Sequence, residues 1–274
     1  MRTRALVVGA LTVGGCGGNG GGGSDPADAA LDSALDSMPV IVPPNTTRLG
    51  TVQAVHFTSG NSQAQAGFYE EPVDGPGCTW TYAGRCSLAV CDSNAGLIAT
   101  SAGNIAFTIG SGSVTLVPDE LARYTPSAAV PPIPPGTSVS VSSAGAAVGG
   151  FGAALIMPTP LDVTAPQNNA TVDRSQPLAF SWSATQGLAY VNLSQTSVPD
   201  APYPSIYVRT IRCEFPAELG AGNVPSELMS QLEPGTSNLI AYATALVVQA
   251  ITAGDYAVKV RLLAIDTTMQ LSVQ

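Results

Sequence analysis

Glycine and proline set the first limit on what this chain can fold into. There are 29 glycines and 22 prolines among 274 residues. Glycine loses the most backbone entropy on ordering and proline removes a donor, so breakers this frequent work against long helices. Short strands joined by many turns fit the same pattern. With 45% apolar and only 11% charged residues, the composition has the material for packed β cores. The length suits two modest domains at the usual ~100–200 residues each. The expectation is therefore an all-β fold of two β-sandwich domains, preceded by a disordered signal and tether. The net charge is −9, and more negative still once Arg2 and Arg4 are set aside. That balance repels phosphate backbones and anionic membrane surfaces, which argues against nucleic acid as a partner.

The first residues read as an export signal. Met1-Arg2-Thr3-Arg4 is followed by an apolar stretch from Ala5 to Val13, then Gly14, Gly15 and Cys16. A charged start, a short greasy centre and small residues before a cleavage point define such a signal, and the stretch is too short to span a bilayer. Val13-Gly14-Gly15-Cys16 resembles the lipobox of bacterial lipoproteins. The resemblance implies that residues 1–15 are removed, that the Cys16 sulfur carries diacylglycerol, and that its new amino group is acylated. The alternative is an ordinary cleaved signal with an incidental cysteine. Acyl chains contribute ~0.8 kcal/mol per buried methylene, so several on one residue make a durable anchor. Gly17, standing where an aspartate would signal retention, implies by the same resemblance delivery to the outer membrane. Residues 16–47 then form the lipidated cysteine and a flexible Gly/Ala/Asp-rich tether reaching ~30 Å, although Leu31 and Leu35 could share a face of a docked helix.

Behind the leader stand four cysteines, Cys78, Cys86, Cys91 and Cys213, an even number in a compartment that permits disulfides. Four thiols allow three pairings. Three of them crowd into "CTWTYAGRCSLAVC", so a local bridge stapling a loop or hairpin is expected. Cys213 either bridges back to that cluster or stays free in a strand. Zinc is disfavoured, because the spacings are too wide and His56 is the single histidine.

Two regions follow: an N-terminal β-sandwich domain over 48–162 with the cysteine-rich loop, and a C-terminal one over 163–274. Residues 104–109 and 114–117 alternate around Gly110-Ser111-Gly112-Ser113 as a hairpin. Five prolines between Pro126 and Gly136 make a surface connection or edge. In "VTAPQNNATVDRSQPLAFSWSA", residues 163–184, Leu178, Phe180 and Trp182 share one strand face. That stretch is similar to the opening of immunoglobulin-like and fibronectin-III-like modules of bacterial surface proteins, which implies Trp182 buried in a sandwich core. Further strands are expected near 189–193, 206–215 and 241–249. Another has Tyr256, Val258, Val260 and Leu262 inward and Lys259 and Arg261 outward. One short helix is expected near 225–232, opened by proline. The whole arrangement resembles two-part β-rich lipoproteins of myxobacterial type, a likeness that carries architecture and no activity.

Catalytic chemistry is thin. His56 lies in a strand-like stretch and reads as a strand histidine near solvent rather than a base. Gly60-Asn61-Ser62-Gln63-Ala64 is the nearest approach to a nucleophile elbow, yet it ends in alanine and lacks the strand-to-helix setting. Glu70-Glu71 is an adjacent acidic pair, but neighbours on an extended chain point to opposite faces. Asp92-Ser93-Asn94 is the closest thing to a calcium motif and has too few oxygens. Asn45, Asn169 and Asn192 sit in glycosylation sequons without meaning in bacterial export. Trp80 and Tyr82, two residues apart on one face of the cysteine-rich loop, could stack on a sugar ring or could cap the core; Phe68 and Tyr69 lie nearby. The expectation is a lipid-anchored, non-enzymatic envelope protein with a binding, adhesion or scaffolding role. The alternatives are a carbohydrate-binding module using Trp80 and Tyr82 and, behind it, an unrecognised hydrolase. No cofactor or metal is called for. The expected partners are the membrane through Cys16 and an envelope protein or glycan.

Overall fold

A computed structural model describes residues 48–70, 78–92, 98–197, 207–266 and 268–274. The leader, Cys16 and the tether lie outside the described residues. The described chain is all β apart from one 3₁₀ turn at Ala217–Leu219 and one short helix, α1 (Ser226–Met229). The helix starts after Pro225, as expected, but regular helix stops three residues short of Leu232. Its brevity fits its neighbours, since Glu233-Pro234 cannot continue it.

One large sheet organises the molecule. Its path runs β3 (Cys78–Ala83), β4 (Cys86–Asp92), β15 (Tyr207–Pro216), β14 (Leu188–Ser197), β17 (Gly235–Ala253), β18 (Tyr256–Ile265), β1 (Arg48–Phe57), β2 (Ser62–Glu70) and β5 (Ile98–Ala99). Two more strands belong to it: β19 (Met269–Val273) pairs with β17, and β12 (Thr171–Val172) pairs with β19. A five-stranded sheet runs β10 (Phe151–Ile156), β9 (Ser138–Ser143), β6 (Ile105–Ile109), β7 (Gly112–Pro118) and β8 (Tyr124–Pro126). The third sheet is β11 (Val163–Ala165), β13 (Leu178–Trp182) and β16 (Ala221–Val224).

Both smaller sheets pack on the same face of the large one, making two sandwich cores side by side. One core joins Val52, Ala54, Phe68, Val258, Val260 and Leu262 of the large sheet to Ile105, Phe107, Val139 and Val141 of the five-stranded sheet. The other joins Leu88, Val191, Leu193, Ile211 and Ala243 to Leu178, Phe180, Trp182 and Val224, with Leu228 and Met229 of α1. Period-two alternation made these strands legible: β6 reads buried, exposed, buried, exposed, buried, and β13 points Leu178, Phe180 and Trp182 inward as expected. Trp182 packs against Phe215 and donates its indole N–H to the Ala217 carbonyl at 2.9 Å.

The strands on the two sides of residue 162 do not keep to themselves. β1 pairs in parallel with β18, and β4 pairs with β15. Each sandwich core therefore draws strands from both 48–162 and 163–274, and the described chain forms one compact unit rather than two consecutive ones. The reason is an edge: β18 and β15 would each present a row of unpaired N–H and C=O groups, and the N-terminal strands cover them. Gly50 in β1 leaves room for the ring of Phe68, its partner on β2, since a Cβ there would sit 2.5 Å from that ring.

Four cysteines form two bridges. Cys78–Cys91 staples the β3–β4 hairpin, and Cys86–Cys213 ties that hairpin to β15, 127 residues further along. Pairing directly across a ladder puts Cα atoms 4.0 and 4.1 Å apart, within reach of a bridge.

Candidate functional site

The face of the large sheet turned away from both cores carries the candidate site. Alternation assigns it. If Val52 and Ala54 point into the core, Thr51, Gln53, Val55 and Phe57 point out, and the same parity puts Tyr190, Asn192, Arg212, Tyr242, Lys259 and Arg261 on that outer face. A cleft of about 440 Å³ lies there. Its lining comes from β2, β1, β18, β17, β14 and β15. Six flat strands at ~4.8 Å spacing would span ~24 Å, so the sheet coils to bring Gln65 and Arg212 into one depression. Val55, Tyr190, Leu246, Leu263 and Ile265 form a third apolar cluster on this face. That is why β18 alternates through Leu262 and then stays buried on both sides.

Two rows of side chains run across the outer face, each passing through the cleft. Tyr82, Ser87, Arg212, Asn192 and Tyr242 stand directly opposite one another across five strands. On the other side Val248, Arg261, Gln53 and Gln65 are aligned. Amide hydrogen bonds run from Gln53 to Gln65 at 3.1 Å and from Gln65 to Gln63 at 3.3 Å. The Arg261 guanidinium lies 5.8 Å from the centroid of the Tyr190 ring, within cation–π range. The Tyr190 and Tyr242 rings are 6.4 Å apart and tilted. Burial pushes the Tyr242 phenol up to about 12, and Tyr190 adds to that while Arg212 and Arg261 oppose it. Lys259 is exposed at its tip, but burial of its surroundings holds its ammonium below the usual range. Arg261 and Arg212 push the same way, and Glu214 pulls back.

Trp80 and Tyr82 occupy the far end of the same outer face. Their rings stack with centroids 6.3 Å apart and 18° between planes, and Trp80 is 41% exposed. They do not plug a core beneath the hairpin. Phe68, grouped with them from the sequence, is 1% exposed and belongs to the core, while Tyr69 is exposed. The bridging cysteines flank this platform and keep β3 and β4 in register.

The other candidates scatter. His56 is in a strand but is buried rather than near solvent, and its Nδ1 has no partner. Register puts Ser62 opposite it. No hydrogen bond joins the two, however, and Ser62 Oγ instead accepts the Ile133 N–H at 3.1 Å. Glu70 accepts a hydrogen bond from Tyr256 and pairs with Arg48; Glu71, Ser93 and Asn94 lie outside the described residues. Among the described residues no three His, Cys, Asp or Glu side chains gather as metal ligands. The lining of the cleft escaped sequence reasoning, apart from the outward Arg261 and Tyr69. The available signal was glutamine at outward positions of β1 and β2.

No family model, curated protein or solved structure matches the chain.

Proposed function

We propose that this chain is a lipid-anchored protein of the bacterial cell envelope whose role is binding, adhesion or scaffolding without catalysis. Cys16 carries the lipid, residues 16–47 are the tether, and the open face of the large sheet meets the partner. One observation carries this reading: the outer face of the large sheet holds a cleft lined by aromatic, amide and cationic side chains, whereas the exposed face of the five-stranded sheet presents mainly small residues such as Ala106, Thr108, Ser140 and Ser142. Sites of this kind bind through a few convergent polar groups over an apolar floor. Two disulfides fit an oxidising compartment. No helix among the described residues is long and apolar enough to cross a membrane, so attachment in this reading rests on the lipid.

Labelling cells with a fatty-acid probe tests the anchor, and the label should vanish with Cys16→Ala. Capture from envelope extract by the purified full chain tests the binding role. Recovery of the native protein as unlipidated material with its leader intact would sink the anchor.

The exposed Trp80–Tyr82 stack favours a second reading, a carbohydrate-binding module. Flat rings held on a stapled hairpin suit the apolar face of a sugar. Trp80→Ala should then abolish binding to a neutral-glycan panel, and silence of the wild type on that panel removes the idea.

A further inference from the structure

Charge is distributed unevenly over this molecule. Acidic residues outnumber basic ones 19 to 10, and most described cations have a partner. Arg48 pairs with Asp255 and Glu70, Arg123 with Asp119, and Arg209 with Glu233. Arg174 donates to the Leu232 carbonyl and Arg85 to that of Glu214. Arg212, Lys259 and Arg261 are different. Among the described residues none of the three has a carboxylate within ion-pair distance, and all three stand on the outer face, Arg212 and Arg261 lining the cleft and Lys259 beside it in register with Thr51. Arg261 goes further, since its Nε is buried and makes no hydrogen bond. A chain rich in carboxylates that leaves three neighbouring cations unpaired, one with a desolvated donor, has a site incomplete without an anion.

The rest of the lining narrows the class. The site is the face of a sheet, so its backbone N–H and C=O groups are used in the ladders and only side chains can meet a ligand. Strand addition by a peptide needs an edge, and phosphate cradles are made of backbone N–H groups at turns or helix starts. What the cleft does present is planar amides from Gln53, Gln63, Gln65 and Asn192, phenols from Tyr190 and Tyr242, and two guanidinium forks. Amides and phenols match the hydroxyls of a sugar, aromatic faces match its apolar side, and a guanidinium matches a carboxylate bidentately.

We propose that this cleft binds a carboxylate-bearing saccharide, with Arg212 and Arg261 on the carboxylate and Gln53, Asn192, Tyr190 and Tyr242 on the sugar hydroxyls and ring. The inference rests on the binding reading above and is independent of the Trp80 platform. About 440 Å³ lies within the ~300–1,000 Å³ of small-molecule sites, which suits the end of a short oligosaccharide.

Titration calorimetry with the full chain tests it, using oligogalacturonate, the same oligomer fully methyl-esterified, and glucose 6-phosphate. The acid form should bind and weaken with added salt, because the cations are partly exposed. The ester and the sugar phosphate should bind about tenfold more weakly or not at all. Arg212→Gln and Arg261→Gln should each weaken the acid form about tenfold, while Arg123→Gln, an exposed cation in the turn between β7 and β8, leaves it unchanged. Arg212 is exposed, so that variant keeps the fold even if Arg261→Gln does not. Equal binding of acid and ester, preference for the sugar phosphate, no binding of the acid, or an equal loss with Arg123→Gln would overturn the proposal. Envelope capture of a partner that oligogalacturonate fails to displace also overturns it, and leaves the binding reading standing; capture of nothing counts against the binding reading itself.

Discussion

Cys86 and Cys213 face each other across the β4–β15 ladder with Cα atoms 4.1 Å apart, joining segments 127 residues apart. Both are buried in the core beneath the third sheet. Cys78–Cys91 closes a loop of only 13 residues. In the chain-entropy account the longer loop stabilises more, within the ~2–5 kcal/mol typical of native bridges. Equilibrium urea unfolding should therefore show Cys86→Ala/Cys213→Ala losing more stability than Cys78→Ala/Cys91→Ala. Non-reducing peptide mass spectrometry should recover these two linkages and no others; four free thiols would contradict the pairing.

Neither half of the chain should fold alone. A fragment of residues 163–274 loses β1 from the side of β18 and β4 from the side of β15, and it leaves Val258, Val260 and Leu262 without the five-stranded sheet. Exposed apolar edges of this sort aggregate. Thermal scans of the separate fragments 48–162 and 163–274 should lack a cooperative transition, whereas 48–274 melts as one unit. An independent, cooperative melt from 163–274 would show that the shared sheet is dispensable.

Trp182→Phe separates a hydrogen bond from an aromatic contact. The indole N–H satisfies the buried Ala217 carbonyl at 2.9 Å, beside the Phe215 ring. Phenylalanine keeps an aromatic neighbour but removes one of three donors to that carbonyl, which also accepts the Thr185 and Gly220 N–H at 3.3 Å; the lost hydrogen bond costs ~0.5–1.5 kcal/mol, and a small cavity adds to it. Circular dichroism in urea should show a lower midpoint with an unchanged slope. A midpoint equal to wild type would mean that the Thr185 and Gly220 N–H groups suffice for the carbonyl and that the indole hydrogen bond adds nothing.

Alkaline pH should weaken the fold through Tyr242. Burial raises its phenol from the ordinary 10.0 to about 12, so the folded state holds its proton where the unfolded state has released it. The sign follows: the contribution is full below about 10 and is lost as pH climbs through about 12. Urea midpoints measured across that window should fall for wild type and fall less for Tyr242→Phe. In native protein the tyrosinate absorbance should show late-titrating phenols, one fewer in the variant, since burial and the hydrogen bond to Glu70 hold Tyr256 above its usual range as well.

Much of the secondary structure was legible because half-buried strands alternate strictly. β6, β9, β13 and the first part of β18 could be read from their side chains, and so could the direction of Lys259 and Arg261. The cysteine count announced disulfides without choosing among three pairings, since pairing depends on which strands become neighbours. Phe68 looked like surface and is core, because a strand's apolar residue reveals its face only after the register is known. The cleft was the least legible part. Arg212, Asn192, Tyr242, Arg261 and Gln53 are scattered over more than two hundred residues of chain, and nothing local draws them together.

Composition and periodicity alone determined that this protein would be β, turn-rich, acidic and cross-linked, because glycine, proline and period-two alternation act over a few residues at a time. Only the tertiary structure decided that its two cores share one sheet, that Cys213 reaches back to Cys86, and that Arg212 and Arg261 meet over one cleft. Those outcomes depend on strand order and sheet coiling, which arise from covering edges and burying faces across the whole chain.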